Sequence, residues 1–201
     1  MRLYQHQHPG RIVRAGTGGV NTPAFPRPVL GFCAYGSGAG KTTLLTSLIP
    51  VLIARGIRLS VIKHAHHKFD VDKPGKDSYR LREAGAVQTL VTSDIRWALM
   101  TERQRMPELQ DNAVTLAEVL PRLDPHAIDL VLVEGFKQAD IGKIEIHRPS
   151  LNYPLLATND DNIIAIATDS PLPGISVPTL DLNNPESIAD FIVQWIKPPT
   201  P

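Results

Sequence analysis

The chain has 201 residues, 42% of them hydrophobic and 20% charged, with a formal net charge of +1. That length suits one ordinary α/β domain, and the near-neutral balance excludes the broad basic field by which proteins hold nucleic acid, so no nucleic-acid partner is expected. No apolar run approaches the ~20 residues that span a bilayer, so no membrane partner is expected, and the single cysteine, Cys33, excludes an internal disulfide or a cysteine-based zinc site.

Residues 1–28 contain Gly16-Thr17-Gly18-Gly19 with Pro9, Pro23, Pro26 and Pro28, and read as a flexible tail with no apolar signal core. A cytoplasmic protein is expected. The ordered domain is assigned to residues 29–198. It begins with VLGFCAY, a short apolar run that reads as a buried strand and predicts an inert Cys33 thiol. From Lys41 a helix follows, with Leu44, Leu45, Leu48, Ile49, Leu52 and Ile53 on one face. Pro50 should kink it and Gly56 should end it. RLSVIKHA is the second strand, and Asp77 to Ala84 form a short helix closed by Gly85. VQTLVTSDIRWALM alternates like a hairpin about Ser93-Asp94, and a weaker helix is expected within Met106 to Leu123. DLVLVEG, IGKIEIHR, IIAIATD and ISVPTLDL supply further strands before a last amphipathic helix with Ile188, Phe191, Ile192 and Trp195. The alternation predicts an α/β fold: a largely parallel sheet with helices on both faces, plus an antiparallel hairpin. Ligands on such sheets bind beyond the carboxyl ends of the strands.

Gly36-Ser37-Gly38-Ala39-Gly40-Lys41-Thr42-Thr43 follows a strand and opens a helix, the setting of a P-loop. Glycines there let backbone N–H groups turn inward around phosphate oxygens, and the helix adds its positive end. Lys41 would reach the β and γ phosphates and the Thr42 hydroxyl would ligate Mg²⁺. One residue departs from the pattern: Tyr35 stands where the first glycine belongs, and Gly36 is expected to take over the turn. Glu134, at the tip of DLVLVEG, is the second magnesium candidate, with Gly135 beside it permitting a close backbone approach. The run from Ile62 to Arg80 reads either as a solvated loop or as a phosphate-facing segment. In the second case Lys63 meets phosphate and Asp72 completes the magnesium shell. His64, His66 and His67 raise a metal site, although no cysteine or convincing fourth ligand accompanies them.

Together, GSGAGKTTLL, VIKHAHH, DVDKPGKDSYRLREAGA, RWALMTE and LVLVEGFK closely resemble the family of molybdopterin-guanine dinucleotide biosynthesis protein B (MobB). The resemblance spans Val29 to Lys197 and rests on several motifs in order. It implies a GTP-binding P-loop protein with Mg²⁺, slow intrinsic hydrolysis and a homodimeric state. It further implies an accessory role beside a guanylyltransferase partner, protein A, which joins GMP to molybdopterin to give molybdopterin guanine dinucleotide. Phosphate binding would fall to Ser37, Gly38, Gly40, Lys41, Thr42 and Thr43, and magnesium to Thr42 and Glu134, with Asp72 in addition. For the base, Asp169 after IIAIAT stands where a guanine-reading carboxylate could lie, although the NKxD sequence of regulatory GTPases is absent. It could equally organise the turn before Pro171. The hairpin, with Trp97 and Met100, offers an edge for pairing across a two-fold axis.

Two other classes remain open on the residues alone. A small-molecule kinase would use the basic loop as a lid, but there is no Arg-rich lid sequence. A metallochaperone-type GTPase would load metal at HAHH. A lysine- and histidine-rich loop near GTP would equally suit molybdopterin, which is a polyanion.

Overall fold

The computed structural model describes residues 25–65, 69–110 and 112–197. These fall into two compact units, one comprising the chain up to His64 and from Thr115 onward, the other Ala65–Val114.

The larger unit is built on six parallel strands. They are β1 (Val29–Cys33), β2 (Leu59–Lys63), β5 (Leu130–Glu134), β6 (Lys143–His147), β7 (Ile163–Thr168) and β8 (Thr179–Asp181), arranged in the order β2-β5-β1-β6-β7-β8. Alternation along β5 explains the layers. Leu130 and Leu132 point to one face, where α1 (Lys41–Ala54) and α4 (Pro185–Ile196) pack through Leu44, Leu48, Ile188 and Ile192. Val131 and Val133 point to the other face and meet Leu116 and Leu120. The sheet is therefore covered on both sides, and its central strands are largely apolar, as expected of parallel strands, with the charges of β6 as the exception.

The helix ends follow from local chemistry. After α1 the Gly56 N–H donates to the Ile53 carbonyl and the Ile57 N–H to that of Leu52, the paired bonds of a Schellman ending. The helix runs through Pro50 as one element, and Ile53, expected on the apolar face, is exposed. The Asn184 side chain caps α4 by accepting from the Ser187 N–H. The helix expected within Met106 to Leu123 shrinks to one turn, α3 (Leu116–Val119), continued by a 3-10 turn at Leu120–Arg122. Thr115 caps it by accepting from the Glu118 N–H at 3.2 Å. That Thr-x-x-Glu start and Pro121 leave room for little more than one turn.

Residues 25–28, assigned to the tail on composition, carry defined contacts. Phe25 packs against the Val131–Val133 face, and Arg27 Nε donates to the Pro125 carbonyl at 2.7 Å. The rest of the expected tail lies outside the described residues.

The smaller unit holds α2 (Asp77–Glu83) and the antiparallel pair β3 (Gln88–Thr92) and β4 (Trp97–Thr101). The hairpin turns over Ser93–Arg96, where the Ser93 N–H donates to the Arg96 carbonyl. Among the described residues no helix is long and apolar enough to cross a membrane.

Candidate functional site

Because all six strands run the same way, their carboxyl ends share one edge. Following the sheet order along it, Lys63 closes β2 and Glu134 closes β5, with the glycine-rich loop next after β1. Arg148 then follows β6 and Asp169 follows β7. Four charged side chains flank one loop, two on each side.

The loop itself is shaped for an anion. Gly40, the residue that caps α1, has φ +101 and no side-chain cap, so the first N–H groups of the helix are left to a ligand. A Cβ at Gly40 would be strained by that backbone. Ala39 is buried, whereas Ser37, Gly38, Thr42 and Thr43 are exposed at the helix start. Gly36 does not take a left-handed turn. Its role is to leave space: a Cβ there would sit 2.7 Å from the Tyr153 ring, which itself lies against Tyr35 with centroids 5.4 Å apart. The missing first glycine is thus accommodated by an aromatic pair.

Lys41 reaches back over the loop and its Nζ donates to the Gly36 carbonyl at 3.3 Å. Burial lowers its pKa, Glu134 opposes that shift, and the nearby Lys137 and Lys63 add to it. An ammonium so placed gains most from an anionic partner.

Thr42 Oγ1 donates to Glu134 Oε1 at 3.0 Å. Lys63 Nζ lies 3.2 Å from Glu134 Oε2 and donates to Thr42 Oγ1 at 3.3 Å. A cation therefore already touches the hydroxyl and the carboxylate that a magnesium ion would use, and this oxygen pair fits a hard divalent ion. Gly135 makes the junction possible: at φ +101 it brings β5 against β2, and a Cβ would come within 2.8 Å of His64 Cβ. The His64 ring stacks on Phe136 with centroids 4.5 Å apart.

On the other side of the loop, Arg148 Nε donates to the Ala39 carbonyl at 3.1 Å, and its NH1 pairs with Asp169 Oδ2 at 2.5 Å. Sequence reasoning passed over Arg148, although it directly follows a strand at the ligand-binding edge. Lys137 was passed over as a site residue too; its Nζ donates to the Tyr35 carbonyl at 2.7 Å.

Of the residues singled out from sequence, Lys41, Thr42, Lys63 and Glu134 converge, and Asp169 stands across the loop from them. Asp72 belongs to the smaller unit. There its Oδ1 accepts from Ser78 Oγ and from the Lys73 N–H, both at 2.9 Å, and its Oδ2 lies 3.8 Å from Arg82 Nε. His66 and His67 lie outside the described residues, and among the described ones no three His, Cys, Asp or Glu side chains group to hold a metal. Burial pushes the Cys33 thiol up to about 12, as expected of an inert cysteine.

Comparison with known proteins agrees with this geometry. The family model described as "Molybdopterin guanine dinucleotide synthesis protein B" matches residues 29–169. The chain is 51% identical over 171 residues to the molybdopterin-guanine dinucleotide biosynthesis adapter protein of Escherichia coli (strain K12), covering 85% of this chain and 94% of that one. It is 49% identical to the Haemophilus influenzae protein of the same description, over 84% of this chain and 89% of that one. Among solved structures, a crystal structure of molybdopterin-guanine biosynthesis protein B superposes with a TM-score of 0.61 at 25% identity, over 83% of this chain and 98% of the other. A MobB homologue from Bacillus stearothermophilus gives 0.58 at 26% identity, over 84% and 97%. A P-loop edge on a parallel sheet, a matching family model and relatives at half identity lead to one conclusion: the chain belongs to the molybdopterin guanine dinucleotide synthesis protein B (MobB) family.

Proposed function

We propose that this protein is the GTP-binding adapter of molybdopterin guanine dinucleotide biosynthesis. It would hold GTP and Mg²⁺ at the edge described above and support the guanylyltransferase that joins GMP to molybdopterin. One observation carries the nucleotide reading: the P-loop threonine and the strand-end carboxylate meet at 3.0 Å beside the P-loop lysine. Backbone N–H groups of residues 36–43 would cradle the phosphates, with Lys41 on the β and γ groups. Thr42 and Glu134 would hold magnesium, which when bound supplies charge neutralisation at the same phosphates. Lys63, displaced from that pair, would turn to phosphate oxygen. Asp169 would accept from guanine, its carboxylate oriented by Arg148. Hydrolysis would be slow, in keeping with an adapter.

The protein would act in the cytoplasm as a homodimer joined through the β3–β4 hairpin. A two-stranded hairpin is marginal by itself, and this one exposes Leu90, Trp97 and Leu99 on a single face. Exposed Lys73 and Lys76 of the smaller unit suit an anionic molybdopterin.

Calorimetric titration with GTP and Mg²⁺ tests the nucleotide reading. Lys41→Ala should weaken GTP at least about 100-fold, roughly 2.7 kcal/mol, while the melting temperature holds. Wild-type affinity in that variant would overturn it.

A further inference from the structure

Lys137 Nζ donates to the Tyr35 carbonyl and Lys41 Nζ to the next one, that of Gly36. Two ammonium groups from distant parts of the sequence therefore meet neighbouring peptide oxygens at the mouth of the loop. Both acceptors are neutral, so these bonds leave the charges uncompensated. Two nearby carboxylates are committed elsewhere, Glu134 to Lys63 and Asp169 to Arg148.

The placement of Lys137 is enforced by its surroundings. The chain leaves β5 through two left-handed residues, Gly135 and Phe136, the second at φ +48. A non-glycine residue holds that conformation only where the structure around it insists. The Ala139 N–H closes the turn on the Phe136 carbonyl at 2.8 Å. From beneath, the ammonium of Lys143, 2% exposed, donates to the carbonyls of Lys137 and Ala139, each at 3.0 Å. It also pairs with Asp160 at 2.7 Å. A buried, fully partnered ammonium thus fixes the backbone from which Lys137 projects.

We infer that Lys137 is a second phosphate-binding lysine, which contacts the terminal phosphate of the nucleotide and makes the site prefer GTP to GDP. The inference rests on residues 36–43 being a GTP site. The P-loop lysine serves the β and γ phosphates, so an ammonium on the adjoining carbonyl stands at that same end. A charged phosphate oxygen is a stronger acceptor than the Tyr35 carbonyl, and the side chain can exchange one for the other while its backbone stays fixed. GDP lacks the group that this second charge would meet. No proton or bond is transferred; the effect is on binding alone.

The test is calorimetric titration of the full chain with GTP and with GDP, each with Mg²⁺, for wild type, Lys137→Gln, Lys137→Arg and Lys41→Ala. Lys137→Gln should weaken GTP by about tenfold or more and GDP by less than about threefold, with Lys137→Arg restoring most of the preference. Glutamine retains a donor for the Tyr35 carbonyl, so the fold should hold; unchanged circular dichroism would verify this. A wild-type GTP-to-GDP ratio in Lys137→Gln overturns the inference. If that happens while Lys41→Ala still abolishes binding, the GTP site stands and this inference alone fails. If wild type binds neither nucleotide, both fail together.

Discussion

The sheet of the larger unit buries apolar strands against helices on both faces, whereas the hairpin of the smaller unit leaves Ile95 and Trp97 at 86% and 77% exposure. The smaller unit is organised around a charge instead. Arg82, itself buried, pairs with Asp70 at 2.6 Å and with Glu102 at 3.1 Å, and lies 3.8 Å from Asp72. Arg105 donates to the carbonyls of Arg82 and Ala86. An apolar core falls off steeply when atoms are removed from it, and a charge hub resists small apolar losses but answers to pH and salt. The first suits a rigid phosphate site. The second, with its apolar residues turned outward, suits a surface that gains its burial from another chain.

The largest effect should come from the core. Phe32 is fully buried as the fourth of the five residues of β1, just before Cys33 ends the strand that leads into the glycine-rich loop. Phe32→Ala should cost about 3 to 5 kcal/mol in denaturant unfolding and weaken GTP with it, because the loop hangs from that strand. A loss under about 1 kcal/mol would mean that the sheet is not the support of the site.

A smaller effect, on assembly, is expected of the hairpin. Trp97 faces the same side as Leu90 and Leu99, and its register partner is Thr92. Trp97→Glu should leave the monomer within about 0.5 kcal/mol of wild type, as exposed positions do. The dissociation constant of the proposed dimer, from sedimentation equilibrium, should rise by roughly 30-fold, as at an aromatic hot spot. If dimerisation is unmoved and unfolding is not, the hairpin face is part of this chain's own core.

The sequence made the two units unequally legible. Apolar runs ending in glycine or a charge gave the strands of the sheet, because parallel strands buried on both sides have little else to be. Lys41 and Thr42 were singled out because their spacing is local. Arg148 and Lys137 were not, for their partners lie 109 and 102 residues away and no pattern within a window records them. IGKIEIHR alternates as if Lys143 and Glu145 faced water, yet both are buried. Lys143 is paired with Asp160, and Glu145 accepts from the N–H groups of Leu156 and Ala157 at 2.9 Å each. Such partners cancel the cost of burying a charge but leave no trace in the alternation. The weaker helix expected within Met106 to Leu123 is present but reduced to one turn, because the capping Thr115 and Pro121 confine it.

The smallest effect separates the two units by their carboxylates. In the larger unit Asp129 is held down to about 2, chiefly by the side chain of Arg58, which it accepts at 3.0 and 2.8 Å, and next by the Arg58 N–H. In the smaller unit Asp70 is lowered first by the Asp72 N–H and only then by Arg82. Both folded values lie below the ordinary aspartate value of about 3.9. Each group therefore stabilises the fold above that value, and its contribution is lost as pH falls through the folded one. Removing the guanidinium should separate them. Arg58→Gln should move the Asp129 carboxyl titration, followed by carbon NMR, most of the way back toward about 3.9. Arg82→Gln should move Asp70 less, since the backbone N–H that dominates there is untouched. Equal shifts at the two sites would mean that the smaller unit depends on Arg82 for the charge of Asp70 as fully as Asp129 depends on Arg58. The hub would then be a single guanidinium rather than a loop that folds around one.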